Sequence, residues 1–156
     1  MRASGISAKL GRIPESAIAF LARLSIGLTF WLSGQTKIEG LALDPVGWHA
    51  EFGVPRVSDG AIELFRSEYA LPLLPPELAA NLAALAEHVF PLLLVLGLAT
   101  RLSAFALLTM TAVIQIFVYP LAYPTHLLWS TLLLYLIARG PGAWSLDRLI
   151  AGRGAP

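Results

Sequence analysis

The sequence of 156 residues contains no cysteine. This absence excludes disulfides, thiolate metal sites and any thiol relay within the chain. Charged residues are also scarce at 13%, about half the share found in soluble domains, whereas hydrophobic residues make up 56%. The net charge is only +1 and no basic run exists, so we expect no nucleic-acid partner. The composition instead predicts an integral membrane protein in contact with the lipid bilayer.

Four apolar segments approach the length of about 20 helical residues that a membrane span requires. We place these spans at about 16–36, 77–100, 102–123 and 125–138, within a single membrane domain covering 1–156. The last span is short, so we expect part of the Tyr119 to Tyr123 segment to lie at membrane depth. The predicted fold class is all-α integral membrane, a four-transmembrane-helix bundle.

The long first loop, 38–76, is too polar to cross a bilayer. Asp44-Pro45 resembles an N-cap followed by proline at the first helical position, which predicts a short helix that runs to Phe52. Ser58 is suited to cap a second one. We therefore expect two short helices in this loop, and a short surface helix at Ser145 to Ile150 in the tail 140–156.

The distribution of charge gives the orientation through the positive-inside rule. Cations flank three of the connections and termini: Arg2, Lys9, Arg12, Arg101, Arg139, Arg148 and Arg153. The first loop is acidic. We therefore expect a multi-pass protein with both termini and the Arg101 turn cytoplasmic and the acidic loop outside. The basic segment 2–12 resembles a signal sequence, but Arg23 interrupts the apolar stretch and no clean cleavage site follows, so we interpret the first span as uncleaved.

One face of the first span carries a distinctive set of residues. Spacings of three and four place the following side chains on one side of a helix: Arg23, Gly27, Phe30, Gly34 and Lys37. The two glycines allow a neighbouring helix to approach closely. We interpret this face as the structural motif against which the other spans pack.

Polar side chains inside a bilayer are costly, about 2.5–3.5 kcal/mol for a central charge, and each one needs a reason. Counted from Arg101 and Arg139 at the inner boundary, four such residues lie roughly 20 Å above it. They are Glu87, His88, Gln115 and His126. The sequence therefore predicts one polar layer in the outer half of the membrane.

Glu87 shares its helix face with small residues that suit a seam against the glycines of the first span. We predict an Arg23–Glu87 ion pair, direct or through water. Such a pair either only permits insertion and fixes the helix register, or it transfers protons or anchors a ligand beside a cavity. The two accounts stay open at this point.

His126 lies one helical turn from Trp129 and is the best single candidate for ligand contact, because its ring can donate and accept. It could also simply satisfy free backbone groups in the first turn of the last span. Gln115 either binds the same ligand or joins two helices by hydrogen bonds. Trp129 is included among the candidate ligand-binding residues with Arg23.

His88 lies about 100° around the helix from Glu87 and cannot point the same way. It is either a ligand-binding residue or a hydrogen-bonded interfacial histidine. Together with His126 it could hold a bis-histidine haem, although histidine pairs also occur in proton relays and in packing; we expect no other metal site. Lys37 either snorkels at the outer interface or contacts an anionic or carbonyl-bearing ligand.

The order and spacing of three motifs resemble those of the DoxX family of small four-span membrane proteins. The first motif is R-x3-G-x2-F-x3-G-x2-K from Arg23 to Lys37. The second is an acid, Glu87, followed by LGLATRLSA from Leu96 to Ala104. The third is His126 with Trp129, followed by GPGAWSLD from Gly140 to Asp147, and WHAEFGVP from Trp48 to Pro55 also resembles the family's first loop. The resemblance covers nearly the whole chain.

The resemblance implies a location in the cytoplasmic (inner) membrane of a bacterium or archaeon, and a redox association. The family takes its name from a terminal quinol oxidase, and the similar DoxD proteins are linked to thiosulfate:quinone oxidoreduction. Our leading hypothesis is a quinone-interacting subunit of a membrane redox system, an oxidoreductase subunit with a periplasmic or membrane protein partner. The quinone head would lie among Glu87, Gln115 and His126, with Lys37 at the mouth, and Glu87 and His126 would be catalytic by supplying protons.

The rival hypothesis is a non-enzymatic scaffold or assembly partner. Its acidic first loop would dock a periplasmic protein through aromatic side chains, namely Trp48, Phe52, Phe65 and Tyr69. A third hypothesis is transport of a small molecule or metal, which a four-span chain could manage only as a homo-oligomer.

Overall fold

The computed structural model describes residues 13–153, so the N-terminal cations assigned to the cytoplasmic side lie outside the described part. Four helices in it are long and apolar enough to cross a membrane: Glu15–Gln35, Pro76–Leu96, Thr100–Val118 and Pro120–Arg139. The last of these reaches back to Pro120 and has 20 residues. The predicted all-α bundle with four membrane spans is confirmed.

The elements follow one another in a simple order. They are α1 (Glu15–Gln35), β1 (Ile38–Asp44), β2 (His49–Val57), α2 (Asp59–Leu64), a π-helical turn (Phe65–Tyr69), α3 (Pro76–Leu96), α4 (Thr100–Val113), a second π-helical turn (Ile114–Val118), a 3-10 turn (Pro120–Ala122), α5 (Tyr123–Arg139) and α6 (Leu146–Arg153). Helix α1 packs most extensively against α3, and α4 packs most extensively against α5. Contacts of α3 with α4 and of α1 with α5 close the bundle.

The glycines of α1 lie where it crosses α3. A Cβ atom at Gly34 would come within 3.0 Å of the Glu87 Cβ and carbonyl oxygen, and one at Gly27 would meet the Val95 side chain at 2.8 Å. Glycine is therefore required at both positions for the helices to approach this closely. Gly34 is level with Glu87 and Gly27 with Val95, as expected for antiparallel neighbours.

The first of the two predicted loop helices is wrong, because residues 38–57 form an antiparallel β-hairpin of β1 and β2. The Asp44 carboxylate accepts hydrogen bonds from the backbone nitrogens of Val46 at 2.9 Å and Gly47 at 2.8 Å. An aspartate before proline can open a tight turn as readily as a helix. Pairing of β1 with β2 decided between the two.

The second loop helix is confirmed as α2. Its N-cap is Ser58, whose hydroxyl accepts a hydrogen bond from the Ala61 nitrogen at 3.1 Å. The helix continues into the first π-helical turn, where Phe65 is buried against α3 in a small apolar cluster. This cluster covers the hairpin end of the bundle, the end at which β1 and β2 lie.

The opposite end of the bundle is closed by the chain after α5. The Asp147 carboxylate accepts hydrogen bonds from the backbone nitrogens of Ala99 at 2.8 Å and Thr100 at 3.0 Å, at the start of α4. The predicted surface helix is present as α6, with Ser145 accepting from the Arg148 nitrogen at 3.2 Å. The GPGAWSLD segment therefore fastens the α3–α4 turn.

Candidate functional site

A cavity of 480 Å³ lies inside the bundle at its hairpin end. All four long helices contribute to its wall, and the π-helical turn after α2 covers it. Most of the wall is apolar: Phe30, Phe65, Leu71, Leu74, Ala79, Leu82, Ala83, Ala86, Ala106, Met110, Val113, Ile114, Val118 and Trp129. The charged and imidazole groups that reach it come from Lys37, Glu87 and His126.

Lys37 and Glu87 form a buried ion pair at this cavity. The Lys37 Nζ lies 2.6 Å from the Glu87 Oε2, and the two side chains are 6% and 3% exposed. Ser33 joins them, since its Oγ donates to the Glu87 Oε1 at 3.2 Å and accepts from the Lys37 Nζ at 3.1 Å. The lysine also donates to the Ser33 carbonyl oxygen at 3.2 Å. The charges of the two side chains cancel, and the ion pair with Lys37 is the contact that the structure gives the Glu87 Oε2.

The predicted Arg23–Glu87 ion pair is wrong. The Arg23 guanidinium is buried at the opposite end of α3, where it donates to the carbonyl oxygens of Leu94 at 3.3 Å and Val95 at 3.1 Å, and also to that of Trp144. Because α1 and α3 are antiparallel, Arg23 lies level with the C-terminal end of α3, about three turns from Glu87. A guanidinium there adds hydrogen bonds to carbonyls at the negative end of the helix dipole, where the Leu94 oxygen also accepts from the Gly97 nitrogen at 3.0 Å.

Lys37 is not a snorkelling side chain at the interface, because only 5% of the residue is exposed. It follows the last turn of α1, and its side chain returns toward the bundle to reach Glu87. Glu87 therefore pairs with Lys37 and not with Arg23, which lies at the other end of the same face of α1. Removal of either charge would leave the other unpaired in a buried site.

His126 stands on the opposite wall of the cavity and is 5% exposed. Its Nδ1 lies 2.7 Å from the Gln115 Oε1, and the Gln115 Nε2 donates to the Pro120 carbonyl oxygen at 2.7 Å. The amide oxygen can only accept, so Nδ1 carries the proton and Nε2 is an acceptor in the neutral ring. Within the part of the chain that the structure describes, Nε2 has no protein partner, which leaves it available to a ligand.

Trp129 packs against the imidazole of His126, and Phe30 packs against Trp129. The ring centroids of His126 and Trp129 are 5.2 Å apart, and those of Trp129 and Phe30 are 5.3 Å apart. All three residues line the cavity. Gln115 lies behind His126 and is not part of the wall, so it acts as the positioning residue for the histidine.

His88 points away from this cavity, as its angular position predicts. Its Nε2 lies 2.8 Å from the Gln35 Nε2, its Nδ1 lies 2.6 Å from the Ala84 carbonyl oxygen, and its ring packs against Trp31. His88 and His126 therefore contact different elements on different sides of the bundle. This arrangement offers no shared axial site for a haem. Among residues 13–153, no group of three or more histidine or acidic residues could hold a metal ion.

Two tyrosines and an acid form a roof over the cavity that sequence reasoning missed. The Tyr119 hydroxyl donates to the Glu68 Oε1 at 2.5 Å, and the Tyr69 and Tyr119 rings meet edge to face at 5.7 Å. The bond to Glu68 raises the pKa of Tyr119, and burial raises the pKa of Tyr69. Each tyrosine lies at the end of a π-helical turn, a feature often found at functional sites.

Ser33 was also missed, although its position four residues before Lys37 placed it on the same helix face. The Glu68–Tyr119 bond had no comparable signal, because 51 residues separate the partners. Local periodicity cannot indicate such a contact.

Comparison with known proteins adds the family. The family model described as DoxX matches residues 18–120, which include most of α1, the hairpin, α2, α3 and α4 with its π-helical turn. Searches among curated proteins and among solved structures found no match. The matched residues contain Gly27 and Gly34 of α1 and the Lys37–Glu87 pair. His126 follows the matched region. The chain belongs to the DoxX family of membrane proteins.

Proposed function

We propose that this protein is a quinone-binding subunit of a membrane redox system. The observation that carries the proposal is the 480 Å³ cavity, whose apolar wall brings the Lys37–Glu87 pair and the acceptor Nε2 of His126 to one space. Flat, mostly apolar ligands with a few polar atoms suit such a site. From the distribution of arginines we expect the cavity to lie toward the outer face of an inner membrane.

The residues present fit a quinone head. Its ring would stack in the aromatic part of the wall near Trp129 and Phe30. One oxygen would take a bond from Lys37 in place of the 3.1 Å bond to Ser33, since Ser33 retains its bond to Glu87. The other oxygen would face the Nε2 of His126, which accepts a hydrogen bond from a quinol hydroxyl when neutral and donates to a quinone carbonyl when protonated.

The reduction of a quinone to a quinol consumes two electrons and two protons. The electrons would come from a reduced redox protein in the periplasm or the membrane. Within this chain His126, once protonated at Nε2, would give one proton to the oxygen that it faces, and the Lys37–Glu87 pair would pass the second to the other oxygen. Both groups would then be protonated again from the solvent on the outer side. Gln115 keeps the ring of His126 oriented, and the wall of the cavity excludes water.

The test is binding of a short-chain benzoquinone to the purified protein in detergent, followed by quenching of tryptophan fluorescence. Replacing His126 by leucine removes the acceptor, and we expect the Kd to rise at least tenfold, the size of one hydrogen bond to an ionisable group. His88→Leu is the matched control, because His88 has the same depth but faces away from the cavity. We expect it to bind as the wild type does.

Two results would count against the proposal. One is the absence of saturable quenching by the wild type with either a benzoquinone or a naphthoquinone. The other is an equal loss of binding in His126→Leu and His88→Leu. Thermal unfolding of each variant separates loss of binding from loss of fold.

A second candidate function, a scaffold that docks a partner protein, is favoured by the surface of the hairpin. Trp48, Phe52 and Val54 are 93%, 79% and 86% exposed. Aromatic side chains of this kind are common anchors at interfaces. Phe65 and Tyr69, which we also expected to contact a partner, instead line the cavity and pack against each other there.

The two candidates respond differently to substitutions in the hairpin. If docking is the function, Trp48→Ser with Phe52→Ser should abolish co-purification of one identified membrane or periplasmic protein that the wild type retains. Quinone binding should not change. If quinone binding is the function and the hairpin has no partner, the double variant should match the wild type in both measurements.

A further inference from the structure

We propose that the ligand enters the cavity sideways from the bilayer, through a lateral fissure between α3 and α4, and that its hydrocarbon tail lies in this fissure when the head is bound. The lateral fissure is formed by Leu82 and Ala86 on α3 and by Ala106 and Thr109 on α4. This inference rests on the proposed function and specifies its ligand as a long-tailed quinone dissolved in the membrane.

The four residues of the lateral fissure belong to two surfaces at once. They line the cavity, yet they are also accessible on the outside of the bundle: Leu82 is 48% exposed, Thr109 is exposed, and Ala86 and Ala106 are half-buried. Residues that line an internal space and are also exposed mark a place where that space opens. Leu74 and Tyr119 meet the same condition at the hairpin end, each 40% exposed, but there the space is bordered by Phe65 and Tyr69 and does not face the middle of the bilayer.

The packing of α3 explains why the opening lies here. Near the α3–α4 turn, Leu94 and Leu107 are fully buried in the core cluster of the bundle. Beside Leu107, α4 presents the small Ala106, and farther from the turn α3 presents Ala83 and Ala86. Helix α3 is held close to α1 by the glycine contacts, so these small side chains leave the gap toward α4 unfilled.

The fissure opens at hydrocarbon depth. Ala86 lies midway along the membrane span Pro76–Leu96, where the surroundings are lipid chains. The Thr109 hydroxyl donates to the Phe105 carbonyl oxygen at 3.0 Å within its own helix, which leaves no free donor in the opening. An opening whose hydroxyl is already hydrogen-bonded can take up a hydrocarbon chain without loss of a hydrogen bond.

The charges at the inner end of the fissure select the ligand further. Lys37 and Glu87 neutralise each other at 2.6 Å, so a bound head that carried a full charge would be left unpaired in a buried site. At the hairpin end the buried Phe65 covers the cavity. A neutral head with a long apolar tail satisfies both conditions, and quinones with isoprenoid tails have this form.

The experiment compares two quinones with the same head, one without a tail and one with a long isoprenoid tail. Ala86→Phe and Ala106→Phe fill the fissure from opposite walls. We expect each to weaken binding of the long-tailed quinone at least tenfold more than it weakens binding of the tail-less quinone, whose affinity reports any effect of the new ring on the head site. Ala112→Phe, on an exposed face of α4 outside the fissure, is the matched control and should leave both affinities unchanged.

A second measurement does not depend on the folding of these variants. Because the chain has no cysteine, Thr109→Cys introduces a unique thiol at the fissure and Ala112→Cys introduces one beside it. The long-tailed quinone should slow alkylation of Thr109→Cys at least fivefold, the tail-less quinone should not, and Ala112→Cys should react at the same rate with either.

The outcomes separate the two proposals. If both quinones bind the wild type but the long-tailed one binds Ala86→Phe and Ala106→Phe equally well, the lateral fissure is overturned and the quinone proposal stands. Equal alkylation of Thr109→Cys with and without the long-tailed quinone overturns the fissure in the same way. If neither quinone binds the wild type, the proposed function is wrong and the inference falls with it.

Discussion

The Lys37 ammonium and the Glu87 carboxylate, 50 residues apart in the chain, lie 2.6 Å from each other inside the bundle. The contact exists because Gly34 lets α1 approach α3 at the level of the acid. The same approach places Ser33 within hydrogen-bond distance of both groups. One close helix crossing thus builds the charged wall of the cavity.

Removal of one member of this pair should be strongly destabilising. We expect Lys37→Met or Glu87→Leu alone to lower the free energy of unfolding by about 3–5 kcal/mol, because each leaves an uncompensated buried charge. The double variant should lose less than the sum of the two. Unfolding of all four proteins in detergent gives the coupling energy, and strict additivity would show that the pair is not coupled.

The close crossing predicts a penalty for a single methyl group. Gly34→Ala should lower the free energy of unfolding by about 1–3 kcal/mol, because the new Cβ would press on the Glu87 backbone. Gly60→Ala is the matched control, since a Cβ there meets nothing within 4 Å in α2. That substitution should be neutral or stabilising, and equal effects at both glycines would contradict the packing described.

The bond between Tyr119 and Glu68 predicts a late tyrosine titration. Because the carboxylate raises the pKa of Tyr119 above its usual value of about 10, its phenolate should appear only at higher pH. The tyrosinate absorbance lost in Tyr119→Phe, measured against pH, isolates this group. Glu68→Gln should return the titration toward the usual pKa.

The same bond has a defined effect on stability. Below about pH 10 the phenol is protonated in the folded and the unfolded chain, so the contribution of the bond is fully present. As the pH rises, the unfolded tyrosine ionises first, and the contribution is lost as the pH passes through the raised pKa of Tyr119. Wild type and Tyr119→Phe should therefore converge in stability only at strongly alkaline pH.

The C-terminal segment should contribute measurably to the stability of the bundle. Asp147→Ala removes the acceptors of two backbone nitrogens at the start of α4, and we expect a loss of about 1–2 kcal/mol in the free energy of unfolding. Arg148→Ala, at an exposed neighbouring position, should change it by less than about 0.5 kcal/mol. Similar losses in both variants would refute the specific role of Asp147.

The sequence by itself determined the membrane class, the number of spans and the face of α1. These properties depend on local composition and on helical periodicity, which act over a few turns of one segment. Periodicity also showed that His88 and Glu87 point in different directions. The Ser58 cap of α2 could be predicted for the same reason, because a cap involves only adjacent residues.

The tertiary structure decided which polar groups meet. The predicted depth of Glu87 was compatible with a contact to either Arg23 or Lys37 of α1. Only the level at which α1 crosses α3 pairs Glu87 with Lys37 and places Arg23 at the C-terminal end of α3. The hairpin depended likewise on the pairing of β1 with β2, since Asp44-Pro45 suits a turn and a helix equally well. Contacts over many residues depend on how whole helices and strands pack, and no local pattern carries that information.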